Sequence, residues 1–100
     1  MKITIRRGTS RKTYGYLLKW DIYADEELIG SIKDKQKITF ELNNVKEIRI
    51  TGFLLTDAVI PIDNSYEDIE IRCLIFVGMW KQYIYAYALS KGKYLGEYNF

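Results

Sequence analysis

Hydrophobic and polar residues alternate with a period of two, rather than 3.6, along most of the chain. In KITFEL, Ile38 and Phe40 are predicted to point to one side of a strand and Lys37 and Thr39 to the other. Alternation in segments rich in β-branched and aromatic residues predicts half-buried β-strands. The same pattern places further residues on apolar strand faces: Ile3, Ile5, Leu18, Trp20, Ile22, Leu42, Ile48, Ile50, Ala58, Ile60, Ile62, Ile69, Ile71, Cys73 and Ile75.

Short polar segments such as Asp25-Glu26, Asn43-Asn44 and Asp63-Asn64-Ser65 separate the predicted strands, and these residue types favour turns. Strands of roughly six residues, with a turn about every eight to twelve residues, are typical of a β-sandwich or barrel. One apolar face per strand indicates antiparallel pairing. The sequence therefore predicts an all-β fold, an antiparallel β-sandwich of about eight to nine short strands. It forms one domain over residues 1–100.

Two segments depart from this alternation. Pro61 lies inside AVIPID and cannot donate a ladder hydrogen bond, so its strand is predicted to lie at a sheet edge. Residues 6–15, RRGTSRKTYG, show neither period and are predicted to form a loop. This basic loop can bind a phosphate or an acidic partner surface, although a solvated loop without a ligand is the preferred interpretation. Its cations are Arg6, Arg7, Arg11 and Lys12.

Tyrosine occupies every second position in the C-terminal segment QYIYAYAL, at Tyr83, Tyr85 and Tyr87. A hairpin around residues 90–93 would pair Tyr85 with Tyr98 and collect the aromatic rings on one face. Aromatic rows on strands are more often part of a core than of a binding platform. The preferred interpretation is therefore an aromatic C-terminal hairpin whose tyrosines close the core.

Two alternatives remain for this segment. Tyr83, Tyr85 and Tyr98 can instead form a solvent-facing stacking surface for a nucleobase or a sugar. A helix over residues 79–89 is the other alternative, because Ala86 and Ala88 are compatible with a helix that stops at Ser90-Lys91-Gly92. The strand is preferred, since β-forming residues dominate and the first turn of such a helix would lack a carboxylate.

The absence of histidine is the most informative feature of the composition. It removes the commonest general base, the histidine-containing triads and most transition-metal sites. The single cysteine, Cys73, alternates in phase with core isoleucines and is expected to be an unreactive core residue. The acidic clusters near Asp25 and Asp63 are interpreted as solvated turns, because the glycine that bends a calcium loop is missing. We therefore expect no catalytic residues, cofactor or metal.

Net charge, hydropathy and cysteine content indicate whether the chain binds nucleic acid, spans a membrane or is exported. The net charge of +2, from 15 basic and 13 acidic residues, is too small for a nucleic-acid footprint over the whole domain. The longest uncharged stretch, CLIFVGMW, is far shorter than the ~20 residues of a spanning helix. No apolar run typical of a signal peptide follows the N-terminus, and a lone cysteine suits a reducing compartment. A cytoplasmic protein is the expectation.

The segment Leu74-Ile75-Phe76-Val77 is apolar at successive positions, unlike the other predicted strands. Both faces of such a strand must be covered, by a loop, by the C-terminal hairpin or by another subunit. This pattern indicates a homodimer.

The stretch KWDIYADEELIGSIKDKQKITFELNNVKEIRI resembles PEGA-like domains and related small β-domains of bacterial proteins. Trp20 to Ala24 match the first strand of that pattern, Asp25-Glu26 the turn and Leu28-Ile29-Gly30 the second strand. The resemblance covers residues 2–74; Glu26 replaces the turn glycine, and the aromatic C-terminal segment has no counterpart. The resemblance implies a compact β-sandwich that serves as an accessory or interaction module, without catalytic residues.

These observations predict a non-catalytic β-sandwich interaction module that acts through protein–protein contacts, by self-association and with an unidentified protein partner. The alternative is a ligand-binding module, in which the tyrosine-rich face or the basic loop binds a glycan or single-stranded nucleic acid. A buried tyrosine row would remove the stacking surface, whereas an open row beside the basic loop would support it.

Overall fold

The described chain, residues 1–8, 18–77, 79–80 and 82–98 of a computed structural model, is entirely β in its regular structure. Its strands form two sheets, which confirms the predicted all-β sandwich and places a strand, not a helix, over the tyrosine row. The strands are β1 (Lys2–Arg7), β2 (Trp20–Ala24), β3 (Glu27–Ile32), β4 (Lys37–Glu41), β5 (Glu47–Thr51), β6 (Ala58–Pro61), β7 (Asp68–Val77), β8 (Gln82–Ser90) and β9 (Lys93–Tyr98).

The five-stranded sheet has the order β4-β1-β7-β8-β9, and the four-stranded sheet has the order β3-β2-β5-β6. β1 and β7 pair in parallel, whereas the other paired strands are antiparallel. The prediction of antiparallel pairing throughout is therefore wrong for this pair. Successive strands alternate in direction, so two odd-numbered strands that become neighbours must run parallel. Pro61 lies on β6, at the edge of the four-stranded sheet, as predicted.

β-Branched side chains from both sheets fill the interior. The period-two prediction is confirmed by the buried set: Ile3, Ile5, Trp20, Ile22, Ile48, Ile50, Ala58, Ile60, Ile62, Ile69, Ile71, Cys73 and Ile75. Ile38, Phe40 and Leu42 pack against this core and are partly buried. Leu18 is the exception, with 44% of its surface exposed, because it precedes β2 and is not held by the pleat of a strand.

Arg6 and Arg7 belong to β1, so the prediction that a loop begins at residue 6 is wrong. The ladder continues to the end of the strand, where the Arg7 amide donates to the Gln36 carbonyl at 3.0 Å and Gly8 donates to Cys73 at 2.8 Å. Pairing on both sides keeps this segment extended despite its polar composition. The predicted loop residues Arg11 and Lys12 lie outside the described residues.

The Arg7 side chain is buried and connects the two sheets. Its guanidinium lies 3.8 Å from the centroid of the Trp20 ring, and Nη1 donates to the carbonyls of Leu18 at 2.7 Å and Ile32 at 3.1 Å. Burial lowers the pKa of Arg7, an effect that the charge of Asp34 opposes. Stacking on an aromatic face and donation to carbonyls are the interactions that allow an arginine to be buried.

The tyrosine row lies outside the core, so the prediction that it closes the core is wrong. Ile84, Ala86 and Ala88 of β8 are buried, and Tyr83, Tyr85 and Tyr87 alternate with them on the opposite side of the sheet. The reason is volume: isoleucines of the other strands occupy most of the space between the sheets, and the two β8 alanines fit where tyrosine rings would not.

The hairpin register also differs from the prediction. Leu89 pairs with Tyr94, but a bulge follows, so that Ala88 pairs with Gly96 and Ala86, not Tyr85, pairs with Tyr98. The turn itself has two residues, Lys91 and Gly92, with φ of 51° and 82°. Such a tight turn followed by one extra residue in the second strand shifts every later pair.

Alternating strand directions collect the loops at two opposite ends of the sandwich. The upper end comprises residues 18–19, 33–36, 52–57 and 79–80, and the lower end comprises residues 25–26, 42–46, 62–67 and 91–92. Among the described residues, no helix is long and apolar enough to span a membrane.

We predict that Gly52→Ala destabilises the fold by about 1–3 kcal/mol, the usual cost of overpacking. A Cβ at residue 52 would lie 2.7 Å from Leu55 Cδ1 and 2.9 Å from Trp20 Cδ1, so the buried indole beneath Arg7 would have to move. Urea denaturation measures the loss.

Gly8→Ala is the matched control, because its Cβ would lie 3.7 Å from its nearest neighbours. We expect a change within about 0.5 kcal/mol for this variant. Equal stability of the two variants would show that Trp20 yields without cost, contrary to the prediction.

Candidate functional site

The side chains of the five-stranded sheet that point away from the core form one continuous surface, which we call the outer face. On its most aromatic part, β7 and β8 place Phe76 opposite Tyr83, Leu74 opposite Tyr85 and Arg72 opposite Tyr87. The outer face includes Thr4, Arg6, Glu70, Arg72, Leu74, Phe76, Tyr83, Tyr85, Tyr87, Leu89 and Glu97.

The aromatic rings on the outer face partly cover one another. Phe76 and Tyr83 are stacked, with centroids 5.2 Å apart and an interplanar angle of 28°, and Tyr85 and Tyr87 are tilted at 6.2 Å. The three tyrosines are half-buried, whereas Leu74 and Phe76 have 37% and 49% of their surface exposed. The outer face is therefore apolar and open to solvent at the centre of a sheet, where an isolated antiparallel sheet usually carries polar residues.

Ion pairs and hydrogen bonds border this apolar area. Glu70 accepts from Arg72 Nη2 at 3.1 Å and pairs with Arg6 Nε at 3.3 Å. A hydrogen bond with Tyr87, and then the contact with Glu70, raise the pKa of Arg72. Paired in this way, the two arginines are held against the sheet, although exposed pairs of this kind add little stability.

Tyr85 is held on its other side by Glu97, to whose carboxylate its hydroxyl donates a hydrogen bond. This bond is the largest cause of a pKa of about 12 for Tyr85, and partial desolvation and the Glu97 charge act in the same direction. The ring is therefore fixed by a polar contact at its tip and by Tyr87 at its side.

A groove of about 410 Å³ opens at the side of the outer face where β1 meets β4 and β7. Arg6, Lys35, Lys37 and Arg72 bring positive charge to it, and Tyr87 brings a ring. Its other lining residues are Arg7, Gly8, Cys73 and Leu74. Burial raises the pKa of the Cys73 thiol to about 12, which keeps it protonated and unreactive.

The sequence-predicted binding residues are only partly brought together. Arg6, Tyr83 and Tyr85 share the outer face, whereas Arg7 is turned into the core. Arg11, Lys12 and the side chain of Tyr98 lie outside the described residues.

Sequence reasoning missed Arg72, and it identified Leu74 and Phe76 as residues that need a cover without placing them on one surface with the tyrosines. Their signal was present, because they alternate with the buried residues Ile71, Cys73 and Ile75 along β7. Lys35 and Lys37 could not be found in this way, since they reach the groove only through the pairing of β4 with β1.

The carboxylates of the acidic turns accept hydrogen bonds from the backbone. The Asp25 carboxylate accepts from the amides of Lys46 at 2.9 Å and Glu47 at 3.0 Å. Asp63 accepts from the Ser65 amide at 2.9 Å, and this bond lowers the pKa of Asp63. Within the described ranges, no three acidic or cysteine side chains are grouped as metal ligands.

Comparison of the chain with protein-family models, curated proteins and solved structures found no match. The resemblance to PEGA-like domains and the cytoplasmic location remain predictions.

We predict that Glu97→Ala lowers the pKa of Tyr85 from about 12 towards the ordinary tyrosine value of about 10. Since folding raises this pKa, the contribution of the bond to stability is complete below about pH 10 and is lost as the pH rises towards 12. NMR titration of ring-labelled tyrosine measures the pKa. Glu67→Ala, at the lower end, should leave it raised; an unchanged Tyr85 in Glu97→Ala would contradict the assignment.

Proposed function

We propose that this chain is a non-catalytic interaction module that acts through protein–protein contacts, with the outer face as its contact surface. The observation that carries the proposal is the exposure of Leu74 and Phe76, 37% and 49%, in the interior of the five-stranded sheet. Burying these side chains together with the adjacent tyrosines would contribute favourable free energy to association.

The composition of the outer face is that of an interface core. Tyrosine, phenylalanine and arginine are enriched at such cores, and they contribute a large part of measured binding energy. Tyr85 is fixed by Glu97, and Arg72 is fixed by Glu70 and Tyr87. Because these side chains are already ordered, a partner would lose less conformational entropy in fixing them.

The partner that suits this surface is a second copy of the chain. The outer face carries both signs of charge, with Arg6 and Arg72 beside Glu70 and Glu97. A two-fold dimer presents the same patch on both subunits, so a patch of mixed charge can pair with itself, whereas a patch of one sign would repel its copy. The apolar pair Leu74 and Phe76 would lie near the two-fold axis.

The ring geometry favours a protein contact over base stacking. A base stacks on a free ring face, but Phe76 already covers one face of Tyr83, and Tyr85 and Tyr87 are tilted towards each other rather than lined up as a flat platform. In contrast, a protein surface can use the edges and the apolar area that remain open.

Single-stranded nucleic acid is a second candidate, which the groove favours. Lys35 and Lys37 lie there beside Arg6, Arg72 and Tyr87, a combination of cations and a ring that suits a phosphate-bearing strand. A glycan without charge would not use these cations.

Self-association is tested by sedimentation equilibrium over a concentration series. We expect the natural chain to form a dimer and Leu74→Lys to weaken it at least about tenfold, because two added cations would face each other at the axis. Leu28→Lys is the matched control, since Leu28 is an exposed leucine on β3 of the other sheet.

A natural chain that stays monomeric at all concentrations would overturn the dimer, and so would equal dimerisation of the two lysine variants.

Titration with a labelled oligothymidine, followed by fluorescence anisotropy, tests the second candidate. Salt-sensitive binding that Lys35→Glu abolishes would support the nucleic-acid function. If the anisotropy of the oligothymidine does not change when the natural chain is added, this function is excluded for the groove.

A further inference from the structure

Four large apolar side chains protrude from two loops of the upper end. Met79 and Trp80 have 90% and 92% of their surface exposed, and Phe53 and Leu54 have 63% and 75%. The two loops are neighbours: the Thr56 amide donates to the Gln82 carbonyl at 3.1 Å, and the Ile84 amide donates to the Thr56 carbonyl at 3.0 Å. We call these four residues the apolar tips.

The backbone at Leu54 adds a second observation. Leu55 donates to the Gly52 carbonyl at 3.2 Å to close a four-residue turn, in which Leu54 has a φ of 59°. Glycine or asparagine suits this left-handed position, and leucine is strained there. The loop therefore displays an apolar side chain to solvent at a site where a small residue would fold more easily, which points to a role other than folding.

The same end of the sandwich is positively charged. Lys19, Lys33, Lys35 and Lys37 are exposed on or beside the upper loops, with Asp21, Asp34 and Asp57 as the nearby acids. Acidic residues outnumber lysines at the lower end: Asp25, Glu26, Glu27, Glu41, Glu47, Asp63, Glu67 and Asp68 lie there with Lys2, Lys46, Lys91 and Lys93. The small net charge thus conceals a separation of charge along the molecule.

We propose that the upper end docks on an anionic lipid bilayer. The apolar tips enter the boundary between headgroups and acyl chains, and the lysines contact the anionic headgroups. Trp80 suits that boundary because an indole combines an apolar body with a polar N–H. Surface cations near a bilayer add attraction that depends on anionic lipid and on salt.

A second copy does not suit this end. Two upper ends facing each other would oppose lysines with lysines, in contrast to the mixed charges of the outer face. Shape also favours a bilayer. Side chains that protrude from loops can enter a fluid bilayer without a matching pocket, whereas protein hot spots lie in packed pockets. The inference does not depend on the proposed dimer, because it uses a different surface.

Tryptophan fluorescence tests the proposal directly. The chain has two tryptophans, and Trp20 is buried beneath Arg7, so a change of environment on docking reports Trp80. With vesicles of phosphatidylcholine and phosphatidylglycerol, we expect a blue shift and quenching by brominated acyl chains. With phosphatidylcholine alone, or at high salt, we expect binding at least about tenfold weaker.

Two variants separate docking from folding in vesicle flotation. Trp80→Ser should lower vesicle binding at least about tenfold without changing urea stability, because the side chain is almost fully exposed. Leu54→Asn should lower binding while stability stays the same or rises, since asparagine tolerates the left-handed backbone. Leu28→Ser, which removes an exposed leucine away from the upper end, should bind vesicles normally.

The absence of a blue shift with anionic vesicles would overturn the proposal, as would equal binding to neutral vesicles or normal binding by Trp80→Ser. The dimer variant Leu74→Lys, examined with the same vesicles, keeps the two proposals distinguishable. If it binds vesicles normally as a monomer, docking does not require the dimer. If it loses vesicle binding while Trp80→Ser retains it, the outer face rather than the apolar tips holds the bilayer, and the proposal fails.

Discussion

The volume available between the two sheets determines which side of each strand faces solvent. Isoleucines of β1, β2, β5, β6 and β7 fill this interior, and at β8 it admits Ile84, Ala86 and Ala88. Since side chains alternate strictly across a strand, burial of this smaller set sends Tyr83, Tyr85 and Tyr87 to the outer face. The surface that we propose for dimerisation is therefore a direct consequence of core packing.

Arg7 satisfies backbone hydrogen-bond acceptors at the upper end of the interior. Two carbonyls, of Leu18 and Ile32, point towards the space where the sheets part, and the guanidinium supplies donors to both. Its stacking on Trp20 shields the charge and fixes the indole against which Gly52 packs. One buried cation thus links β1 of one sheet to β2, β3 and the loop that follows β5 in the other.

The two proposed surfaces differ in the arrangement of charge rather than in apolar content. Both expose aromatic side chains, but Arg72 pairs with Glu70 on the outer face, whereas Lys33, Lys35 and Lys37 crowd one end of the molecule. A surface of mixed charge can pair with the same surface on a second copy, whereas a surface of one charge favours a partner of the opposite charge. A sandwich with both surfaces could dimerise through its sheets and still present its loops to a bilayer.

Local patterns in the sequence determined most of the strands and much of the core. Alternation identified Ile3, Ile5, Ile48, Ile50 and the isoleucines of β7 as buried, and Pro61 marked an edge strand, because each of these inferences depends on neighbouring residues alone. The turn residues likewise predicted where strands end. No knowledge of strand order was needed for these features.

Only the tertiary structure decided which face of β8 is inside, the parallel pairing of β1 with β7, and the burial of Arg7. Alternation separates tyrosines from alanines but does not say which set the core can hold, since that depends on side chains contributed by distant strands. Strand order likewise brought the lysines and the apolar tips, far apart in the chain, to one end of the sandwich. The surfaces that carry the proposals arise from non-local packing, which a local pattern such as the apolar run from Leu74 to Val77 does not determine.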